Sequence, residues 1–159
     1  MGYTYNGLYD AYASYKRDAS SILPSDKRWN DAWAVGAGWT PTNYAFLKDN
    51  KVLTSLNLKT SYGVIANLNG VSTSTTVATF AYANESYEEQ RQLFLMGLVN
   101  KELKAEKTKS FDLSLSAQFF KRFTFGVNLY NRRTEQALLD VPIPTSNGFN
   151  ILKRNIGVL

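Results

Sequence analysis

Cysteine and histidine are both absent from the 159 residues of this chain. Without cysteine there is no disulfide framework and no thiolate metal site. Without histidine the chain lacks the commonest metal ligand and general base. The sequence contains no catalytic constellation, no cofactor-binding motif and no metal-ligand set. We therefore predict that the chain is not an enzyme and binds neither a cofactor nor a metal ion.

Long apolar runs are also missing, although 44% of the residues are hydrophobic. The longest run, Leu93–Val99, includes Gly97 and is far shorter than the roughly 20 residues that a membrane-spanning helix needs. A helical membrane protein is therefore excluded. The first residues carry neither a basic nor an apolar segment, so they do not form a signal peptide. We expect that such a segment was removed or that the chain is part of a larger protein.

The net charge of +5 raises the question of nucleic-acid binding. The lysines and arginines lie mostly in predicted loops and at strand ends, without the continuous basic stripe of a nucleic-acid interface. We therefore predict that the chain does not bind nucleic acid.

The strongest positive signal is an alternation of apolar and polar residues. In the segment Phe111–Leu129 two such runs are separated by Phe120-Lys121-Arg122. The apolar stripes are Phe111, Leu113, Leu115, Ala117, Phe119 and then Phe123, Phe125, Val127, Leu129; the first polar stripe is Ser110, Asp112, Ser114, Ser116, Gln118. A period of two indicates strands with one apolar and one polar face, here joined by a tight turn.

Three further long strands are predicted from the same pattern: Tyr3–Arg17, Trp29–Trp39 and Ser55–Ile65. Asp31 is an exception, because it falls on the apolar side of its strand. Weaker signals predict a helical turn over Tyr44–Lys48 and a strand over Thr75–Tyr82. The composition of Glu88–Val99 fits a helix, but its apolar run does not choose between helix and strand.

Long strands with one short turn and several long polar loops are typical of a transmembrane β-barrel. If the turn Phe120–Arg122 is periplasmic, three long segments fall together on the outside: Asp18–Lys27, Ala66–Thr108 and Arg132–Arg154. We predict an all-β fold with five or six antiparallel transmembrane strands and long extracellular loops.

Two other β architectures remain open. A soluble extracellular carbohydrate-binding β-sandwich also alternates, although its strands average about 5–6 residues. A small outer-membrane adhesin or structural barrel needs eight strands to close. Acid pairs such as Glu88-Glu89 and Glu102/Glu106 are read as solvated loop residues, and Ser61-Tyr62-Gly63 lacks the setting of a nucleophile.

The sequence resembles the SusC/RagA family of TonB-linked outer-membrane transporters of Bacteroidetes-type bacteria. The matching segments keep the family's order along nearly the whole chain: Lys16–Ser21, Trp33–Trp39, Leu56–Gly63 with Asn67, Leu103–Asp112, Tyr130–Thr134, Pro144 with Gly148, and Asn155–Gly157. The chain departs from the family at four loop positions. Ala19 and Ala66 stand where the family usually has Gly, Lys101 where it has Pro, and Ala105 where it has Trp.

The resemblance implies that residues 1–159 form part of a barrel of about 22 strands, from the C-terminal half of the receptor. The plug domain and the TonB-contacting segment would lie outside this chain. The implied function is nutrient import, of glycans or peptides, across the bacterial outer membrane. The implied partners are a SusD-like surface lipoprotein and the TonB energy-coupling system. Neither the substrate nor its contact residues can be read from the sequence.

Overall fold

The structure, a computed structural model, describes residues 1–44, 47, 50–87 and 90–158, and for 84–87 and 90 the backbone only. Over these residues strands are the main secondary structure, and none of the helices has the length and hydropathy needed to cross a membrane. The strands are β1 (Gly2–Tyr5), β2 (Tyr9–Ala19), β3 (Trp29–Trp39), β4 (Leu53–Asn67), β5 (Phe80–Tyr87), β6 (Gln90–Leu95), β7 (Glu106–Phe119), β8 (Phe123–Glu135), β9 (Leu138–Pro142) and β10 (Ile151–Asn155). The short helix α1 covers Thr73–Thr76, and 3₁₀ turns cover Pro41–Asn43 and Thr145–Asn147.

Six strands form one sheet in the order β1-β2-β3-β4-β7-β8, and the pairs β5/β6 and β9/β10 form separate hairpins. The strand predicted over Trp29–Trp39 is confirmed as β3, and Ser55–Ile65 lies inside β4. The predicted hairpin is confirmed as β7 and β8 around the turn at 120–122. The all-β antiparallel fold is therefore confirmed, and β2, β3, β4, β7 and β8 each have 11 to 15 residues.

The single strand predicted over Tyr3–Arg17 is wrong. The segment forms the hairpin β1/β2, with Tyr5 opposite Tyr9. Asn6 and Gly7 both have positive φ, at 50° and 66°, which is the conformation that an Asn-Gly hairpin turn requires. The alternation continues across this turn, so the pattern concealed the reversal that the Asn-Gly dipeptide signals.

Two weaker predictions fail in part, and one open choice is decided. Thr75–Tyr82 begins in α1, and its strand starts only at Phe80. For Glu88–Val99, which the sequence left open between helix and strand, the structure has strand β6 paired with β5. The predicted loop Arg132–Arg154 contains β9 and most of β10. Most of the helical turn predicted at Tyr44–Lys48, and Glu88-Glu89, lie outside the described residues.

The chain divides into two compact units. The first contains Met1–Lys16, Asp31–Ile65 and Thr108–Arg133, and is built from the long strands of the sheet. Within its described strands Ala117 is the single buried hydrophobic side chain. A water-soluble sheet covers its apolar face with a second layer, and the described strands of this unit have no such hydrophobic core.

The second unit contains Arg17–Asn30, Ala66–Lys107 and Thr134–Leu159. It has a small core of Leu23, Leu103, Ala105 and Leu138, against which Ala66, Leu68 and Val71 pack. These ranges correspond to the three long segments that the sequence predicts on one side of the sheet. Their gathering into one unit confirms that they lie together.

Side-chain amides join the segments of the second unit. The Asn155 Oδ1 atom accepts a hydrogen bond from the Lys104 N–H (2.9 Å), and its Nδ2 donates to the Lys104 carbonyl (2.8 Å) and to the Gln136 carbonyl (2.9 Å). Asn100 Nδ2 donates to the Lys153 carbonyl (2.8 Å). Buried or half-buried loop backbone needs such partners, so the long segments form an ordered structure.

Candidate functional site

The apolar face of the six-stranded sheet is exposed. Trp33 and Val35 on β3 are 39% and 46% exposed, and Leu129 on β8 is 59% exposed. The rings of Trp33 and Tyr62 lie 5.7 Å apart across β3 and β4. A contiguous exposed apolar surface of this kind marks contact with a membrane or another protein.

The opposite face is polar and carries a cavity of about 190 Å³ in the first unit. The alternation places the side chains of Asp10, Lys59 and Asp112 on this face, and all three line the cavity together with Tyr12 and Ser114. Ser114 also donates a hydrogen bond of 2.7 Å to Asn128 Oδ1 across β7 and β8. This bond places the predicted polar stripes of the two strands on one face.

Glycines on β3 make room for this polar cluster. A Cβ atom at Gly36 would overlap the Tyr12 ring, and one at Gly38 would overlap the Asp10 carboxylate. The side chains of β2 therefore lie over the glycines of β3. The cavity could not be identified from the sequence, because it forms only when the strands are neighbours.

Aromatic side chains of β2 and β3 interact with charged groups. In the first unit the Tyr15 hydroxyl donates to Asp31 Oδ1 at 2.6 Å. This bond explains why a carboxylate is tolerated on the apolar side of β3. In the second unit the Arg17 guanidinium lies 5.1 Å from the centre of the Trp29 ring. Amphipathic aromatic side chains of this kind are enriched at membrane–water interfaces.

Of the acidic pairs considered in the sequence, Glu102/Glu106 lies among the described residues. The Glu106 carboxylate accepts a hydrogen bond from the Leu138 N–H and so ties β7 to β9, and Glu88-Glu89 lies outside the described residues. Ser61-Tyr62-Gly63 lies within the strand β4 and not in a turn between a strand and a helix. Among the described residues no group of acidic side chains is arranged to hold a metal ion.

Known proteins match the chain over nearly its whole length. The TonB-dependent receptor P26 of Formosa agariphila is 29% identical over 162 residues, which is 100% of this chain and 16% of that protein. The TonB-dependent receptor SusC of Bacteroides thetaiotaomicron is 30% identical over 89% of this chain and 15% of its own length. No family model matches the chain.

Solved structures give the same result. A structure of the RagAB peptide transporter superposes with a TM-score of 0.87 at 28% identity, over 99% of this chain and 17% of that one. A structure of the RagAB peptide importer in a closed-closed state gives 0.84 at 29% identity, over 95% of this chain.

The chain belongs to the SusC/RagA-type TonB-dependent receptors. It spans about one sixth of the length of the relatives described here, as the 16% coverage of P26 shows. The resemblance expected from the sequence is thereby confirmed. These relatives are named as receptors and importers rather than as enzymes, in agreement with the prediction from the missing catalytic residues.

Proposed function

We propose that this chain is part of the barrel wall of an outer-membrane TonB-dependent nutrient importer. The observation that carries the proposal is the pairing of an exposed apolar face with a polar, charged face on one sheet of long strands. Strands of about 9–11 residues suffice to cross a bilayer, and β2, β3, β4, β7 and β8 reach or exceed this length. In a soluble carbohydrate-binding sandwich the apolar face would be covered, so that alternative loses its support.

The two faces then have different surroundings. The apolar face contacts lipid, which accounts for the exposure of Trp33 and Leu129. The polar face, with Asp10, Lys59 and Asp112, borders the interior of the barrel, where charged groups stay hydrated or meet other polar surfaces. The long segments Asp18–Lys27, Ala66–Thr108 and Arg132–Arg154 are proposed to be extracellular, and the turn at Phe120–Arg122 periplasmic.

The complete receptor requires parts that are not among residues 1–159. We propose that further strands close the barrel, that a plug domain fills it, and that a TonB-contacting segment couples it to energy. The proposed substrates are oligosaccharides or peptides, delivered with a SusD-like surface lipoprotein. SusC and the RagAB peptide transporter, to which the chain is similar, support this class of function.

The absence of cysteine from the chain makes the proposed sidedness directly testable. Ser25→Cys in the second unit and Lys121→Cys in the tight turn would be introduced into the full receptor, in a background without accessible cysteine. In intact cells a membrane-impermeant maleimide should label Ser25→Cys, and Lys121→Cys only after the outer membrane is permeabilised. The reverse pattern would contradict the orientation, and labelling of neither position in permeabilised cells would contradict the membrane topology.

Import itself is tested by uptake of labelled peptides and oligosaccharides in cells with and without the receptor gene. We expect one of the two classes to be taken up in a receptor-dependent and TonB-dependent manner. Uptake that persists without the receptor for both classes would exclude the proposed function.

A further inference from the structure

A second cavity, of about 210 Å³, lies within the second unit and is basic. Three lysines, an indole and two side-chain amides line it: Lys27, Lys104, Lys107, Trp29, Asn30 and Gln136. In the part of the chain that the structure describes, no carboxylate belongs to this lining. The cavity is smaller than the roughly 300–1,000 Å³ of a pocket that encloses a drug-sized ligand. It therefore has room for one chemical group of a larger molecule.

The charges of the three lysines are only weakly balanced by acids. The Lys27 ammonium lies 3.9 Å from the carboxylate of Asp26, whose side chain is 68% exposed, and an exposed ion pair of this length contributes little. Within the described residues neither Lys104 nor Lys107 has an ion-pair partner. The cavity therefore favours a ligand with an anionic group.

Asn155 holds the backbone of two lining residues in place. Its Nδ2 donates to the Lys104 and Gln136 carbonyls at 2.8 and 2.9 Å, and its Oδ1 accepts from the Lys104 N–H at 2.9 Å. Gln136 has a φ of 58°, in the left-handed region that few residues other than glycine adopt. Such a conformation persists where the surroundings enforce it, and it is concentrated at ligand sites. Part of the cavity wall is thus preformed, which lowers the entropy lost on binding.

The Trp29 indole distinguishes this cavity from a simple anion site. The Arg17 guanidinium lies 5.1 Å from the ring centre, and Trp29 is still 57% exposed. An exposed indole offers a flat apolar surface, on which the C–H face of a sugar ring can pack. The amides of Asn30 and Gln136 can each donate to and accept from hydroxyl groups. A phosphate or an acidic peptide would use the lysines and leave the indole and the amides without a role.

We propose that the cavity lined by Lys27, Trp29, Lys104 and Lys107 binds an acidic sugar residue of the imported oligosaccharide. The lysines bind the sugar carboxylate through charge-assisted hydrogen bonds, the sugar ring packs on the indole, and the two amides bind its hydroxyl groups. This inference rests on the proposed importer function and narrows it, because it selects acidic oligosaccharides from the two substrate classes.

The test uses the full receptor, purified in detergent, and measures binding by isothermal titration. The ligands are tetragalacturonate, tetramannuronate and an unsulfated chondroitin tetrasaccharide, each beside its carboxyl-reduced form, and tetraglutamate as an acidic peptide. We expect at least one of the acidic oligosaccharides to bind. Its carboxyl-reduced form should bind about tenfold more weakly, because the charge-assisted hydrogen bonds to the carboxylate are lost.

Substitutions separate the contribution of charge from that of ring packing. Lys104→Gln/Lys107→Gln should weaken binding of the acidic oligosaccharide about tenfold and leave the carboxyl-reduced form unchanged, whereas Lys104→Arg/Lys107→Arg should retain binding. Trp29→Ala should weaken binding of both forms about fivefold, since packing on the ring does not depend on the carboxylate. Lys121→Gln, in a turn that does not line the cavity, is the matched control and should bind like the parent receptor.

A heat-dependent shift in gel mobility shows that each variant is folded, and if the double glutamine variant does not fold, each single substitution should weaken binding about threefold. Equal binding of the acidic and carboxyl-reduced forms, binding of tetraglutamate alone, or binding of none of the ligands would overturn the proposal. Unchanged binding in the glutamine variants would also overturn it. Receptor-dependent uptake of peptides or neutral oligosaccharides would in each case leave the importer function intact. A receptor that is absent from the outer-membrane fraction would overturn both proposals together.

Discussion

At Gly63 the lack of a Cβ atom allows strands β3 and β4 to approach each other. Gly63 is buried, faces Ala34 of β3, and a Cβ atom at this position would lie 2.9 Å from the Trp33 carbonyl oxygen and 3.0 Å from the Ala34 Cβ. Both contacts involve atoms that cannot rotate away. The glycine within the family-like Ser61-Tyr62-Gly63 segment is therefore explained by strand packing and not by catalysis.

Gly63→Ala should destabilise the full receptor by about 1–3 kcal/mol, because overpacking forces the strand backbones apart. The matched control is Gly126→Ala on β8, where the nearest atom to an added Cβ is the Leu115 oxygen at 4.0 Å. The control should leave stability unchanged or raise it slightly. Guanidinium titration of both variants in lipid vesicles measures the difference, and equal stabilities would show that β3 and β4 adjust without cost.

Leu115 and Ser114 are neighbours on β7 that point to opposite faces. Leu115 belongs to the apolar stripe, whereas Ser114 lines the polar cavity and donates to Asn128. Leu115→Arg should reduce folding stability in lipid vesicles by about 2–4 kcal/mol, because the charge enters the hydrocarbon region. Ser114→Arg loses one hydrogen bond, worth about 1 kcal/mol, and keeps its charge in a polar environment. Equal tolerance would mean that the two faces are assigned wrongly.

At the scale of elements, the hairpin β5/β6 forms a two-stranded sheet of its own. Its strands pair only with each other, and it leaves large apolar side chains accessible: Phe80, Tyr82, Leu93, Phe94 and Met96 are each at least half exposed. Leu103 and Ala105, which form the core of the second unit, come after the hairpin in the chain. We therefore predict that recognition and bracing depend on different parts of the segment Ala66–Thr108.

Replacing residues 80–95 by a short Gly-Ser linker should reduce binding of substrate or of the surface lipoprotein and leave the barrel folded. The expected reason is the loss of exposed apolar contacts at the extracellular end. Pull-down of the lipoprotein and uptake of the cognate nutrient measure binding, and heat-dependent gel mobility measures folding. As a control, Leu103→Ala should instead loosen the second unit by about 2–5 kcal/mol. Normal uptake after the deletion would show that the hairpin has no role in recognition.

For the molecule as a whole, the unpaired edges of the sheet are the main cause of expected aggregation. At one edge β1 has only four residues, so it covers only part of β2; at the other β8 has no further neighbour in the sheet. Beside β8, Val158 forms an isolated bridge to Glu135.

Residues 1–159 produced alone should therefore associate in water, through strand pairing at β2 and β8 and through the exposed apolar face. Light scattering in buffer should show aggregates, and detergent should reduce their size. A monodisperse monomer in buffer, with a cooperative thermal transition, would contradict the membrane assignment of the apolar face. The full receptor in detergent serves as the control, since its edges are paired.

Alternation with a period of two determined most of the sheet directly from the sequence. Each residue's face depends only on its own strand, so the stripes of β3, β4, β7 and β8 and the turn at 120–122 could be read without a partner. The reversal at Asn6-Gly7 was also encoded locally, although the alternation that continues across it concealed the signal.

Only the tertiary structure decided which residues of different strands become neighbours. The cavity of Asp10, Lys59 and Asp112 and the close approach at Gly63 each combine residues distant in the sequence, and strand order and register set their distances. The segments 80–95 and 138–155 became hairpins because pairing with a neighbour, rather than their own composition, satisfies their backbone groups. The alternation of residues within each strand thus determined which side chains lie on the apolar and polar faces. Pairing between strands determined which side chains come together to form a cavity.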